Sequence, residues 1–212
     1  MIENTSAYPV KLSIEYPERQ LDRLTSFFRL FTVIPIAIIL GLIMGGNGGG
    51  SNASQETWHY TLSSGGILFL PTLLMLLFRQ KYPKWWFDFN LELTKFSIRV
   101  GTYFCLLTDV YPSTDEEQFV HITVPYPDAK NDLNRWLPLF KWFLAIPHYF
   151  ILFFLWIASL ICVIIAWFAI IFTGKYPKGL FNYIVGVNRW SLRVSAYAVL
   201  LVTDQYPPFR FD

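Results

Sequence analysis

Alternating stretches, long apolar runs and striped helical segments follow one another along this chain, and the same order then recurs. The first alternation places Val10, Leu12 and Ile14 on one face, and the second places Val120, Ile122 and Val124 there. A period of two predicts half-buried strands, and these two are candidates to pair with each other. Apolar sequence follows each strand. Phe27 to Met44 is long enough to span a membrane, since about 20 residues cross a bilayer core. A shorter run, Gly66 to Phe78, comes after a loop rich in Gly, Ser and Asn. The later run, Phe140 to Phe172, holds 33 residues. One straight helix of that length reaches about 50 Å, against about 30 Å of hydrocarbon.

Charge favours folding that later run back on itself. Lys and Arg collect in cytoplasmic loops, and none of the chain's 17 lies between Gly45 and Gly66. That loop is expected outside. A single crossing by 140–172 would leave Lys175, Lys178, Arg189, Arg193 and Arg210 outside as well. Two crossings keep them inside. The expectation is therefore two transmembrane hairpins, with both termini cytoplasmic.

The segments opened by Tyr-Pro carry a different pattern. Their polar positions are Lys84, Asp88, Glu92, Lys95 and Arg99 in one, and Lys178, Asn182, Gly186, Arg189 and Arg193 in the other. Steps of four, four, three and four mark one face of a helix. A narrow basic stripe flanked by aromatic residues suits a helix lying among lipid headgroups. An ordinary core helix with a solvent face is the alternative. Pro83 and Pro177 suit the first turn, where no N–H partner is needed. On the interfacial reading, Lys84, Lys95, Arg99, Lys178, Arg189, Trp190 and Arg193 are candidate contacts for lipid phosphate or a partner.

The recurrence is extensive enough to predict a tandem duplication, a possibility that must be tested before any fold is assigned. "VKLSIEYP" from Val10 returns as "VHITVPYP" from Val120, and "KYPK" at Lys81 returns at Lys175. "LLTDVYP" from Leu106 returns as "LLVTDQYP" from Leu200. The first unit is 1–117 and the second 118–212. Each is a short strand, a transmembrane hairpin and an amphipathic interfacial helix, and the hairpin's outer loop is long in the first unit and tight in the second. Even numbers of crossings make the repeats parallel. The fold class expected is mainly α and integral to the membrane.

Composition agrees. The chain is 54% hydrophobic and only 15% charged, against about 25% charged in soluble domains. A net charge of +2 argues against a nucleic-acid partner, which needs a clustered basic surface. Cys105 and Cys162 read as small buried hydrophobes, and the N-terminal stretch does not read as a signal peptide. His59, His121 and His148 lack metal-ligand spacing, and GGNGGGS lacks the Lys-Ser/Thr of a phosphate loop. No catalytic, cofactor or metal site is expected. Asp109 and Asp204 read as structural turn residues, able to pair with Arg99 or Arg193 or to accept backbone N–H groups. Arg29 and Lys141, near the start of each apolar run, are placed to snorkel to the headgroups. The near-absence of ionisable residues at membrane depth weighs against a pump or coupled transporter.

The stretch "IPHYFILFFLWIA…IIAWFAIIFTGKYPKGLFNYIVGVNRWSLRVSAYAVLLVTDQYPPF" resembles a bacterial membrane protein family, domain of unknown function 4389. TG-K-YP, N-R-W-x-x-R-V-x-x-Y and TD-x-YPPF carry the resemblance. The first unit departs from it: Arg79-Gln80 stand for Thr173-Gly174, Lys95-Phe96 for Arg189-Trp190, and Ser113-Thr114 for Pro208-Phe209. The resemblance implies a plasma-membrane location and supplies no activity. The function expected is a non-enzymatic membrane scaffold or accessory subunit, whose partners are lipid and other membrane proteins or itself. A membrane-shaping role is the alternative, and a small-solute channel or transporter a weaker one.

Overall fold

A computed structural model describes residues 8–17, 21–43, 64–114, 116 and 118–211. The Gly-rich loop with His59 lies outside them. The chain is mainly helical. In order the elements are β1 (Lys11–Ile14), α1 (Arg23–Ile43), α2 (Ser64–Leu74) with a π turn at Met75–Arg79, and α3 (Lys84–Phe104). Then follow β2 (Val120–Thr123), α4 (Pro138–Leu144), α5 (Ile146–Thr173) and α6 (Lys178–Ala198).

The two strands do pair, antiparallel, with Leu12 opposite Ile122 and Ile14 opposite Val120. All six apolar residues of the alternation are buried. Lys11, Ser13, Glu15 and Thr123 form the exposed polar face. There the His121 imidazole meets the Glu15 carboxylate at 3.1 Å. The buried face of this ribbon rests on helices: β1 packs on α6 and β2 on α3. On the far side α6 packs on α5, α3 packs on α1, and α1 touches α5. The result is three layers: ribbon, then α3 and α6, then α1 and α5.

The tight hairpin expected over 140–172 does not occur. After the short α4, the chain runs as one continuous helix for 28 residues. The reason is local. Pro147 sits in the first turn, where its missing N–H costs nothing. From His148 to Thr173 there is no Gly or Pro to turn the chain, and Gly174 ends the helix in the left-handed conformation at φ 73°. Such a Gly cap is a common helix terminus because glycine carries no Cβ. The sharp reversal comes one element later, where 174–177 alone separate α5 from its antiparallel neighbour α6.

Pro83 and Pro177 stand one place earlier than expected, as N-caps with extended backbone. Pro35 lies inside α1, whose two arms, Arg23–Arg29 and Phe31–Gly41, meet at a 49° bend. A mid-helix proline clashes with the carbonyl four residues earlier, which is that of Phe31. Among the described residues α5 is the one helix long and apolar enough to cross a membrane alone, and the two arms of α1 meet that test together.

Candidate functional site

The polar side chains that draw attention in the sequence are mostly turned inward. Arg29 and Lys141 do not snorkel: they are 3% and 0% exposed. Arg29 donates through Nη1 to the carbonyls of Tyr103, at 3.1 Å, and Thr108, and through Nη2 to the Asp109 carboxylate. Lys141 donates to the Thr203 carbonyl at 2.7 Å and pairs with Asp204 at 2.7 Å. A tyrosine ring lies beside each cation, Tyr103 at 4.4 Å and Tyr197 at 5.2 Å from centroid to charge. Each aspartate has a further duty. Asp109 accepts the Asp22 N–H at 2.7 Å, and Asp204 accepts the Asn134 N–H at 2.6 Å. The expected pairing of these acids with Arg99 and Arg193 is therefore replaced by pairing with cations far back in the chain. Burial depresses the Lys141 ammonium below the ordinary lysine value, and the Asp204 carboxylate opposes that shift.

The two arginines that lose those acids are buried too, and brace backbone instead. Arg99 donates to the Ser113 carbonyl at 3.0 Å. Arg193 donates to the Arg210 carbonyl at 3.3 Å and lies over the Tyr8 ring. Arg189 spans two segments, with Nε on the Leu12 carbonyl at 3.0 Å and Nη1 on that of Phe211 at 3.1 Å. Trp190 is buried and donates to His148 Nδ1 at 3.1 Å. The basic stripe of α6 thus faces β1 and the C-terminal segment, which presses so close that Phe211 would lie 2.8 Å from any Cβ at Gly186. Thirteen of its 21 residues are buried. α6 is a core helix, but neither headgroups nor solvent meet its polar face around Arg189 and Arg193: β1 and the C-terminal segment cover it. Of the remaining candidates, Lys84 and Lys178 are exposed. Lys178 sits 5.5 Å from the Tyr16 ring centroid, and Lys95 pairs with Glu92 at 2.8 Å.

The sequence offered one unused signal. Arg29 and Lys141 hold the same place in the recurring pattern, as do Asp109 and Asp204. A cation and an acid that recur together in apolar surroundings are candidates to pair.

A surface concavity of about 790 Å³ lies between the π turn and the loop after β2, lined by Arg79, Lys81, Tyr126, Asp128 and Asp132 among others. Its acids are engaged within their own turn. Asp128 accepts the N–H of Lys130 and the amide of Asn131, which hold its carboxyl below the usual range. Among the described residues no cluster of three or more His, Cys, Asp or Glu is placed to hold a metal.

Residues 136–210 match one family model, described as a domain of unknown function, DUF4389. The match occurs once. No curated protein and no solved structure is detectably similar to the chain. The DUF4389 segment runs from Trp136 to Arg210 and so contains the Lys141–Asp204 pair, all of α5 and α6, and the Arg193 brace. The matched part holds α4, α5 and α6, and its buried residues share one core with those of the first half.

Both cysteines are free, with Cys105 buried and Cys162 half-buried. Burial pushes the Cys105 thiol from 9.0 up to about 12. The folded chain keeps this proton where the unfolded chain loses it, so the linked stability is full below pH 9 and declines above it. Thermal unfolding in mild detergent should show a falling midpoint between pH 9 and 10, and Cys105→Ala should flatten that fall.

Proposed function

We propose that the protein is a non-enzymatic membrane protein that serves as a scaffold or accessory subunit of a larger membrane complex. One observation carries this reading: the outer face of α5. Phe150, Phe153, Phe154, Ile157, Ile161 and Phe172 are all between 46% and 76% exposed. Each such side chain gains about 2 kcal/mol on leaving water, so a surface of this size calls for lipid or protein cover. Arg99, Arg189 and Arg193, by contrast, are occupied in bracing the fold. A bacterial plasma-membrane location fits both this surface and the DUF4389 match.

We also propose that the chain arose by tandem duplication. The support is a series of bonds that recur at matching places. Arg29–Asp109 is matched by Lys141–Asp204. Asp22 N–H on Asp109 is matched by Asn134 N–H on Asp204. Leu106 and Leu201, at φ 64° and 56°, fall at corresponding places after α3 and α6.

A second reading, that the protein organises lipid from one leaflet, is favoured by the direction of the ribbon. Tyr8 lies at Arg193 and Tyr16 at Lys178, so β1 runs along α6 and beside the α5–α6 pair instead of capping its end. Upright, α5 would carry the polar ribbon face to membrane depth and would put Arg135 and Lys175 on opposite sides. Lying in the plane of one leaflet, α5 keeps the ribbon in water and both cations on one side, consistent with the charge rule.

Gentle extraction from native membranes, followed by native size analysis, tests the scaffold reading. A discrete complex with reproducible membrane-protein partners is expected; a monodisperse, partnerless chain overturns it. The second reading is tested with single cysteines at Trp142 and Lys175 and a membrane-impermeant label. Labelling of both from the same face is expected, and labelling from opposite faces makes α5 a span.

A further inference from the structure

The concavity between the π turn and the loop after β2 divides its charges between two walls. Arg79 and Lys81, on either side of the left-handed Gln80 at φ 45°, line one wall. Asp128, Lys130 and Asp132 line the other. The Tyr126 hydroxyl, donating to the Tyr82 carbonyl, ties the walls together. Among the described residues neither Arg79 nor Lys81 is ion-paired, so no ion pair crosses the gap. Asp128 is engaged by the Lys130 N–H and the Asn131 amide, and the Lys130 charge stands beside it. Asp132 gives only Oδ2, to the Asp128 N–H at 3.0 Å. Its Oδ1 has no partner among the described residues.

This division of charge narrows the ligand. A simple anion is repelled by Asp132, and a simple cation by Arg79 and Lys81. A molecule that carries both signs complements both walls. The volume, about 790 Å³, lies within the range usual for ligand sites. What adjoins the concavity indicates where such a molecule comes from. Leu70, Leu74 and Phe78 recur at steps of four along the apolar helix Phe69–Arg79, and so share one face. They are between 43% and 70% exposed. The stripe is about 12 Å long, against about 15 Å of hydrocarbon in one leaflet. It ends beside Arg79, at the rim. Two exposed tryptophans stand close by: Trp85 follows Pro83 of the lining, and Trp136 follows Arg135, which donates to the Leu77 carbonyl at 2.7 Å. Tryptophan at the edge of an apolar surface marks the headgroup level. An acyl chain lying on the stripe brings its headgroup between the two walls.

We propose that this concavity binds the headgroup of a zwitterionic phospholipid, with its phosphate between Arg79 and Lys81 and its ammonium on Asp132. A phosphoethanolamine headgroup has that chemistry, because its ammonium donates hydrogen bonds that Asp132 Oδ1 accepts. The site rests on the membrane reading above, because its ligand comes from the bilayer.

The full chain in mild detergent is titrated with phosphatidylethanolamine, with phosphatidylglycerol of the same acyl chains, and with free phosphoethanolamine. Native mass spectrometry counts the ligands on each chain. One phosphatidylethanolamine per chain is expected to bind ahead of any phosphatidylglycerol, and the free headgroup to bind more weakly than the lipid. Asp132→Asn keeps an oxygen for the Asp128 N–H. It should weaken the phosphatidylethanolamine complex about fivefold, the upper end for an exposed ion pair, and leave phosphatidylglycerol binding unchanged. Arg79→Gln with Lys81→Gln should weaken both lipids. Equal binding of the two lipids overturns the site, as does binding that neither variant changes. Free phosphoethanolamine held as tightly as the lipid overturns the bilayer source. A chain extracted from membranes that binds none of the three loses this site alone. One recovered from the aqueous phase loses the membrane reading with it.

Discussion

A cation buried among apolar helices has to be neutralised where it stands. Moving an ammonium or guanidinium out of water costs several kcal/mol even after relaxation, and only a close acid with further hydrogen bonds offsets it. Arg29 and Lys141 meet that demand with an aspartate, a carbonyl and a tyrosine face each. Much of the remaining architecture follows. Asp109 and Asp204 have to return from the far end of α3 and α6 to the starts of α1 and α4. To do so the chain passes through the left-handed region at Leu106 and Leu201. Such a backbone costs a non-glycine residue about 1 kcal/mol or more. It is held by flanking bonds, from the Leu107 N–H to the Thr102 carbonyl and from the Val202 N–H to the Ala196 carbonyl. The recurring TD-x-YP phrase is thus the receiving end of a clamp.

The two clamps are joined by tyrosines that reach across the molecule. Tyr16 donates to the Tyr176 carbonyl at 2.5 Å, and Tyr126 donates to that of Tyr82. Tyr82 in turn donates to Leu200 and Tyr176 to Cys105. Each bond links the first half of the chain to the second. Together with the ribbon they make the halves interdependent: the buried core that holds Leu12 and Leu107 also holds Ile122 and Leu201. The apolar layer formed by α1 and α5 is what remains uncovered once this inner structure is complete.

Strands, helices and turn phrases were legible in the sequence because each rests on a local pattern. Val10, Leu12 and Ile14 alternate and are buried, and the steps of three and four in α3 and α6 do form helices. What failed was reasoning that lacked the third dimension. The positive-inside argument treated Arg189 and Arg193 as free loop charges, whereas β1 and the C-terminal segment engage them. With those two removed, the case for folding 140–172 back was weak, and the absence of any breaker after Pro147 decided the matter. The polar stripe of α6 was read correctly as a face, but its occupant is a strand from elsewhere in the chain. Composition and period do not say which surface a helix face meets, and the acidic partners of Arg29 and Lys141 lie 80 and 63 residues away.

The clamp is tested most directly by a double-mutant cycle on Lys141→Met, Asp204→Asn and the pair, read from denaturant unfolding in mild detergent. Asp204→Asn leaves the buried Lys141, and Lys141→Met the half-buried Asp204, without its charged partner, while the double change removes the mismatch. A coupling of about 2 kcal/mol or more is expected, with the double variant more stable than the sum of the singles implies. Additive losses, with coupling below about 0.5 kcal/mol, would contradict it and leave the repeated phrase without its proposed role.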